Sequence, residues 1–117
     1  MKGGYVKIGN EKFLIKVAST EEEQRVGLMH CPWPPPLTLF TFNNYQIRNF
    51  WMKSTPSPLD IIFCKDDEIV KIAYGKPFSK DYICSGTPCN LVLEAPVGFC
   101  SRFKLSSGDI LKSHVFS

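Results

Sequence analysis

The sequence has no long apolar run, no strong charge of either sign and almost no histidine, and each shortage removes a class of function. No apolar stretch approaches the ~20 residues a helix needs to cross a bilayer. The first residues, Met1-Lys2-Gly3-Gly4-Tyr5, lack the apolar centre of an export signal, so a cytoplasmic location without a membrane partner is expected. Net charge is only +3, and the 14 Lys and Arg are scattered singly. A nucleic-acid binder gathers such residues on one face, so weak nucleic-acid binding is the least favoured reading. His30 and His114 stand in no metal-ligand spacing, and the chain has neither a nucleophile elbow nor a phosphate-cradling glycine loop. No metal or cofactor is expected.

What is present suits a small β core. The 117 residues are a length for one domain, and nine Phe, four Tyr and two Trp supply bulky apolar volume. Tyr5–Ile8 and Lys12–Ala18 alternate around Gly9-Asn10, a two-residue hairpin turn, with Phe13, Ile15 and Val17 on one face. Ser19 and Thr20 each precede a glutamate by three residues, which predicts a capped helix start. That helix is short, since Gly27 weakens it and Pro32 must end it; Arg25, Leu28 and Met29 share a face. Residues 31–36 form a proline-rich extended connector in which Trp33 is expected to pack as a lid. Further strands are expected at 37–42, 47–53, 59–64, 69–74, 90–95 and 109–116, with a turn at Asn43-Asn44. A loop at 75–89 and a short helix from Pro96 to about Phe103 complete the reading.

Five cysteines in a chain with no export signal argue against a disulfide framework. Cys84 and Cys89, with four residues between them, have a spacing that permits a bridge or half a zinc site; two reduced thiols in a loop is the simpler reading. Cys31, Cys64 and Cys100 read as small core hydrophobes.

The segment Phe50-Trp51-Met52-Lys53-Ser54-Thr55-Pro56-Ser57-Pro58-Leu59-Asp60-Ile61-Ile62-Phe63 concentrates the most hydrophobicity and the most placed polarity. Two apolar runs flank a turn stiffened by two prolines, which predicts antiparallel neighbours with Lys53 and Asp60 close together at the base of one concavity. With Arg25-Val26-Gly27-Leu28-Met29 before it, and Val92-Leu93-Glu94-Ala95-Pro96-Val97-Gly98 and Gly108-Asp109 after it, this segment resembles the domain of unknown function 192 family. The resemblance implies a mainly β fold, a compact barrel-like antiparallel or mixed sheet with one or two short helices, and no particular reaction. Three positions depart from the family pattern: Ser54 replaces Asn, Leu37 replaces Gly, and Lys104 replaces the Gly that usually ends the second helix. A left-handed cap is therefore not expected at Lys104.

The candidate site comprises Arg25, Trp51, Met52, Lys53, Asp60, Tyr74 and Glu94. Trp51, Met52 and Tyr74 would wall a pocket in which the charged groups orient a small molecule or a peptide end. Binding is favoured over catalysis. Two alternatives stand beside it: an enzyme with Asp60 or Glu94 as acid or base and Lys53 or Arg25 as anion clamp, and a buried charge network that serves only the fold.

Overall fold

A computed structural model describes residues 1–117. Lys2–Ile8 (β1) and Glu11–Ala18 (β2) form the hairpin that the Gly9-Asn10 turn predicts, with Ile8 opposite Glu11. Thr20 caps helix α1 (Glu21–Val26): its hydroxyl accepts from the Glu23 N–H at 3.1 Å, and the Glu23 carboxylate accepts back from the Thr20 N–H at 3.2 Å. Of the two capping-box spacings in the sequence, the one starting at Thr20 is used, and the helix stops at Gly27, whose φ of 49° suits glycine. After the connector the chain forms β3 (Thr38–Gln46), the short β4 (Asn49–Phe50), β5 (Leu59–Lys65) and β6 (Glu68–Gly75). There follow β7 (Ile83–Cys84), β8 (Cys89–Pro96), helix α2 (Phe99–Arg102) and β9 (Lys112–Val115).

Seven strands make one mixed sheet in the order β6-β5-β8-β3-β2-β1-β9, parallel only between β2 and β3. The outer strands approach at one end, where Ile69 N–H donates to the Asp109 carbonyl and Gly108 N–H to the Ile69 carbonyl. A single bridge between Glu68 and Ile110 joins them, so the sheet curls without closing into a barrel. Both faces of its middle are buried. Ile62, Cys64, Leu93, Leu39 and Val17 belong to one core, and Ile61, Phe63, Val92, Phe40 and Ala18 to the other. Successive residues of a strand point to opposite faces, so β5 and β8 can carry apolar residues on both faces when each face has its own cover. The first core lies toward α2 and β9, the second toward α1.

The pairing expected around the double-proline turn is not formed. β5 is hydrogen-bonded to β6 on one side and β8 on the other, which leaves no edge for residues 51–53. Asn49–Phe50 instead pairs with Ile83–Cys84 in a separate two-stranded ribbon. Residues 52–55 fold against the following loop: Met52 N–H donates to the Ser79 carbonyl at 2.9 Å and Phe78 N–H to the Thr55 carbonyl at 3.1 Å.

Other expectations are corrected as well. β3 continues through Asn43-Asn44 with a register shift rather than turning there. Trp33 is 55 % exposed and is no lid. Cys89 opens β8 fully buried rather than lying in a loop, while Cys84 is half-buried; all five thiols are free. Pro96 ends β8, and α2 begins three residues after it, at Phe99, with Gly98 as its N-cap. Finally, Lys104 does take the left-handed conformation, at φ 54°. Its N–H donates to the Ser101 carbonyl, and Leu105 N–H donates to the Cys100 carbonyl, the paired bonds of a Schellman motif built without glycine.

Candidate functional site

A cleft of about 300 Å³ opens between α1 with the residues that follow it, the first half of β3, and the β4 segment. Its position follows from local sequence. Gln24, on the inner side of α1, donates its amide to the Ala18 carbonyl at 3.1 Å and to the Thr41 carbonyl at 2.7 Å, tying the helix across β2 and β3. Gly27 then turns the chain and lets Leu28 sink to 4 % exposure; a Cβ at Gly27 would stand 3.3 Å from the Phe40 ring. Phe40 and Phe42, two apart on β3, both face the cleft. The β4–β7 ribbon holds Phe50 edge-on to Phe40, with centroids 5.1 Å apart.

Glu94 lies among these aromatic side chains. Its neighbours across the sheet are Thr38 on β3 and Ile61 on β5, both buried, and it is itself only 4 % exposed. No hydrogen bond or ion pair reaches its carboxylate from the protein. No buried side-chain oxygen is sealed without a partner, so the Glu94 oxygens keep some exposure, and the residue lines the cleft. Desolvation pushes Glu94 up from 4.5 to about 8, leaving it mostly a neutral acid at pH 7.

Four of the seven residues singled out in the sequence line this cleft: Arg25, Trp51, Lys53 and Glu94. Their roles differ from the expected ones. Arg25 lies along α1 and donates to Glu22 through Nε at 3.1 Å and Nη2 at 2.6 Å, holding the Glu22 carboxyl below its ordinary value. Lys53 sits over the Trp51 ring, its Nζ 5.3 Å from the centroid, and Trp51 stacks in turn on Tyr82 at 5.9 Å.

The other three lie elsewhere. Met52 is fully buried against Gly75, where an added Cβ would stand 2.6 Å from its sulfur. Asp60 alternates with Leu59 and Ile61 and points to the opposite face from the cleft, where its carboxylate accepts from the Cys100 N–H at 3.0 Å. Tyr74, directly across from Asp60 in the ladder, is 57 % exposed on that same face.

Asp60 therefore has no ion pair with Lys53. It caps α2 from a neighbouring strand, a task that Gly98 at the N-cap cannot perform because it has no side chain. Asp60 and Glu94 lie on opposite faces of the sheet and form no acid–base pair. Two of the cysteines offer little reactivity: burial pushes Cys64 and Cys100 up to about 12, the Asp60 carboxylate adding to the effect at Cys100.

Sequence reasoning misses Gln24, Phe40, Phe42 and Phe50 as site residues. Phe40 and Phe42 read only as one face of a strand, and nothing local tells which core that face will meet. Gln24 sits on the same short helix as Arg25, and its spacing gives no hint of its reach to Thr41.

No curated protein matches the chain. Among solved structures, a protein from Sinorhizobium meliloti 1021 described as a candidate transcription regulator is 28 % identical, with a TM-score of 0.83 over 96 % of this chain and 92 % of that one. A protein of unknown function from Novosphingobium aromaticivorans DSM 12444 is also 28 % identical, with a TM-score of 0.81 over 94 % of this chain and 83 % of that one. The model of the domain of unknown function 192 family, described as "Uncharacterized ACR", matches residues 5–113, and the chain belongs to that family.

Proposed function

We propose that the protein is a binding module that holds a small molecule or the end of a peptide in the cleft beside α1. The observation that carries this reading is Glu94: a buried carboxyl with no protein partner, open to an aromatic-walled cleft. Burying a carboxyl without a hydrogen bond costs on the order of several kcal/mol, and a fold has no need of that cost. Apolar walls with a few converging polar groups are the usual make-up of a ligand site. At about 300 Å³ the cleft suits a fragment-sized group rather than a large cofactor.

A fragment screen by amide chemical-shift mapping tests the reading. Binders are expected to perturb Gln24, Leu28, Trp51 and Lys53 together, and Trp51→Ala, which removes a partly exposed wall, should weaken them at least severalfold. Fragments of every charge that leave these amides unmoved would refute it.

A further inference from the structure

We infer that the group received at the floor of the cleft is a cation, a guanidinium or ammonium on a short apolar body, paired with the Glu94 carboxylate; this rests on the cleft being a binding site. Three features of the lining support a cation. Glu94 is buried, has no partner of its own, and its carboxyl oxygens are not fully sealed. Phe40 and Phe50 line the space with π-systems, which attract a desolvated cation and do nothing comparable for an anion, and two further rings of the lining already hold cations: Phe42 the Arg48 guanidinium at 3.9 Å and Trp51 the Lys53 ammonium at 5.3 Å. Neither positive side chain of the lining pairs with Glu94: Arg25 is engaged with Glu22, and Lys53 lies over the Trp51 face.

The charged groups that face Glu94 are few. α1 contributes Glu21 and Arg25, and the turn after β4 contributes Lys53. From β3 and β5 come only Thr38, Phe40 and Ile61, and from β4 Asn49 and Phe50, all uncharged. A cation entering this space meets two carboxyls that no protein cation neutralises, the exposed Glu21 on α1 and the buried Glu94. An anion would meet the same two carboxyls and could enter only while Glu94 stayed protonated.

Cation binding and deprotonation of Glu94 are then linked. With Glu94 at about 8, roughly a tenth of the molecules carry the carboxylate at pH 7, and the apparent affinity is reduced by that fraction. Affinity for a cation should therefore rise about tenfold per pH unit from pH 6 to 7 and level off above about pH 8.5. A neutral ligand that accepts a hydrogen bond from the protonated acid should show the opposite trend.

Calorimetric titration with n-butylguanidinium separates these cases, because guanidinium keeps its charge throughout this range. n-Butylurea is its neutral isostere and pentanoate an anion of similar length. Butylguanidinium is expected to bind preferentially, to release about one proton per molecule bound at pH 7, and to lose both its pH dependence and most of its affinity in Glu94→Gln. N-acetylarginine amide carries the same group on a peptide unit: tighter binding than butylguanidinium assigns the site to a peptide side chain, weaker binding to a free small cation. Butylurea or pentanoate binding in the cleft more tightly than butylguanidinium would overturn the cation while leaving the cleft a binding site. Failure of all four probes, together with an empty fragment screen, would overturn both.

Discussion

Replacing Glu94 by Gln should stabilise the protein, and by an amount that depends on pH in a way few other substitutions can mimic. The side chain keeps its size and loses its charge. In the native state the carboxyl holds its proton up to about 8, whereas in the unfolded chain it titrates near 4.5. Between these values the native state binds one more proton than the unfolded state, so stability must fall as pH rises, by about 1.4 kcal/mol per unit. The favourable contribution is complete below 4.5 and lost as pH climbs to about 8, above which the slope vanishes. From pH 5 to pH 8 the wild type should lose on the order of 3–4 kcal/mol relative to Glu94→Gln, a large part of a small domain's stability. Urea denaturation of the two proteins at half-unit pH steps measures the difference directly, and every titration common to both cancels. A constant gap between the curves from pH 5 to 8 would refute the reasoning, because it would mean that Glu94 ionises in the folded protein as it does in water.

Three further outcomes follow from the same geometry. Asp60→Ala should cost about 1–2 kcal/mol, the value of a lost helix cap, while Lys53→Met should be nearly neutral and the double substitution additive in thermal melts; marked coupling would restore the ion pair between them. Lys104→Gly should stabilise by roughly 0.5–1 kcal/mol, since the Schellman position holds a residue at φ 54° that glycine adopts without strain; an unchanged or lower melting temperature would count against strain there. Thiol titration of the protein purified without reductant and then denatured should find five free cysteines, and a count of three would reveal a bridge, with Cys84 and Cys89 the first pair to test.

Much of the fold is legible from local chemistry, and the reasons are short-range. The β1–β2 hairpin needs only Gly9-Asn10 between alternating runs, and α1 needs only Thr20, Glu23 and Gly27, because turns and caps are decided by residues within one turn of each other. The apolar character of 59–64 and 90–95 announces interior strands, and Arg25, Trp51, Lys53 and Glu94 stand out as site candidates by residue type and neighbours alone. What tertiary structure decides is which strand lies beside which. Two apolar runs joined by a stiff turn look like a hairpin locally. Yet β5 already has β6 and β8 on its two edges, and a strand has only two edges to satisfy. Displaced from β5, Phe50 is free to pair with β7 and close the cleft over Phe40. Face is the second quantity that local sequence leaves undetermined. Asp60 and Glu94 both interrupt apolar strands and look alike in sequence. The registers of β5 and β8 send one to cap α2 and the other into the cleft, and that pairing depends on residues more than thirty positions apart.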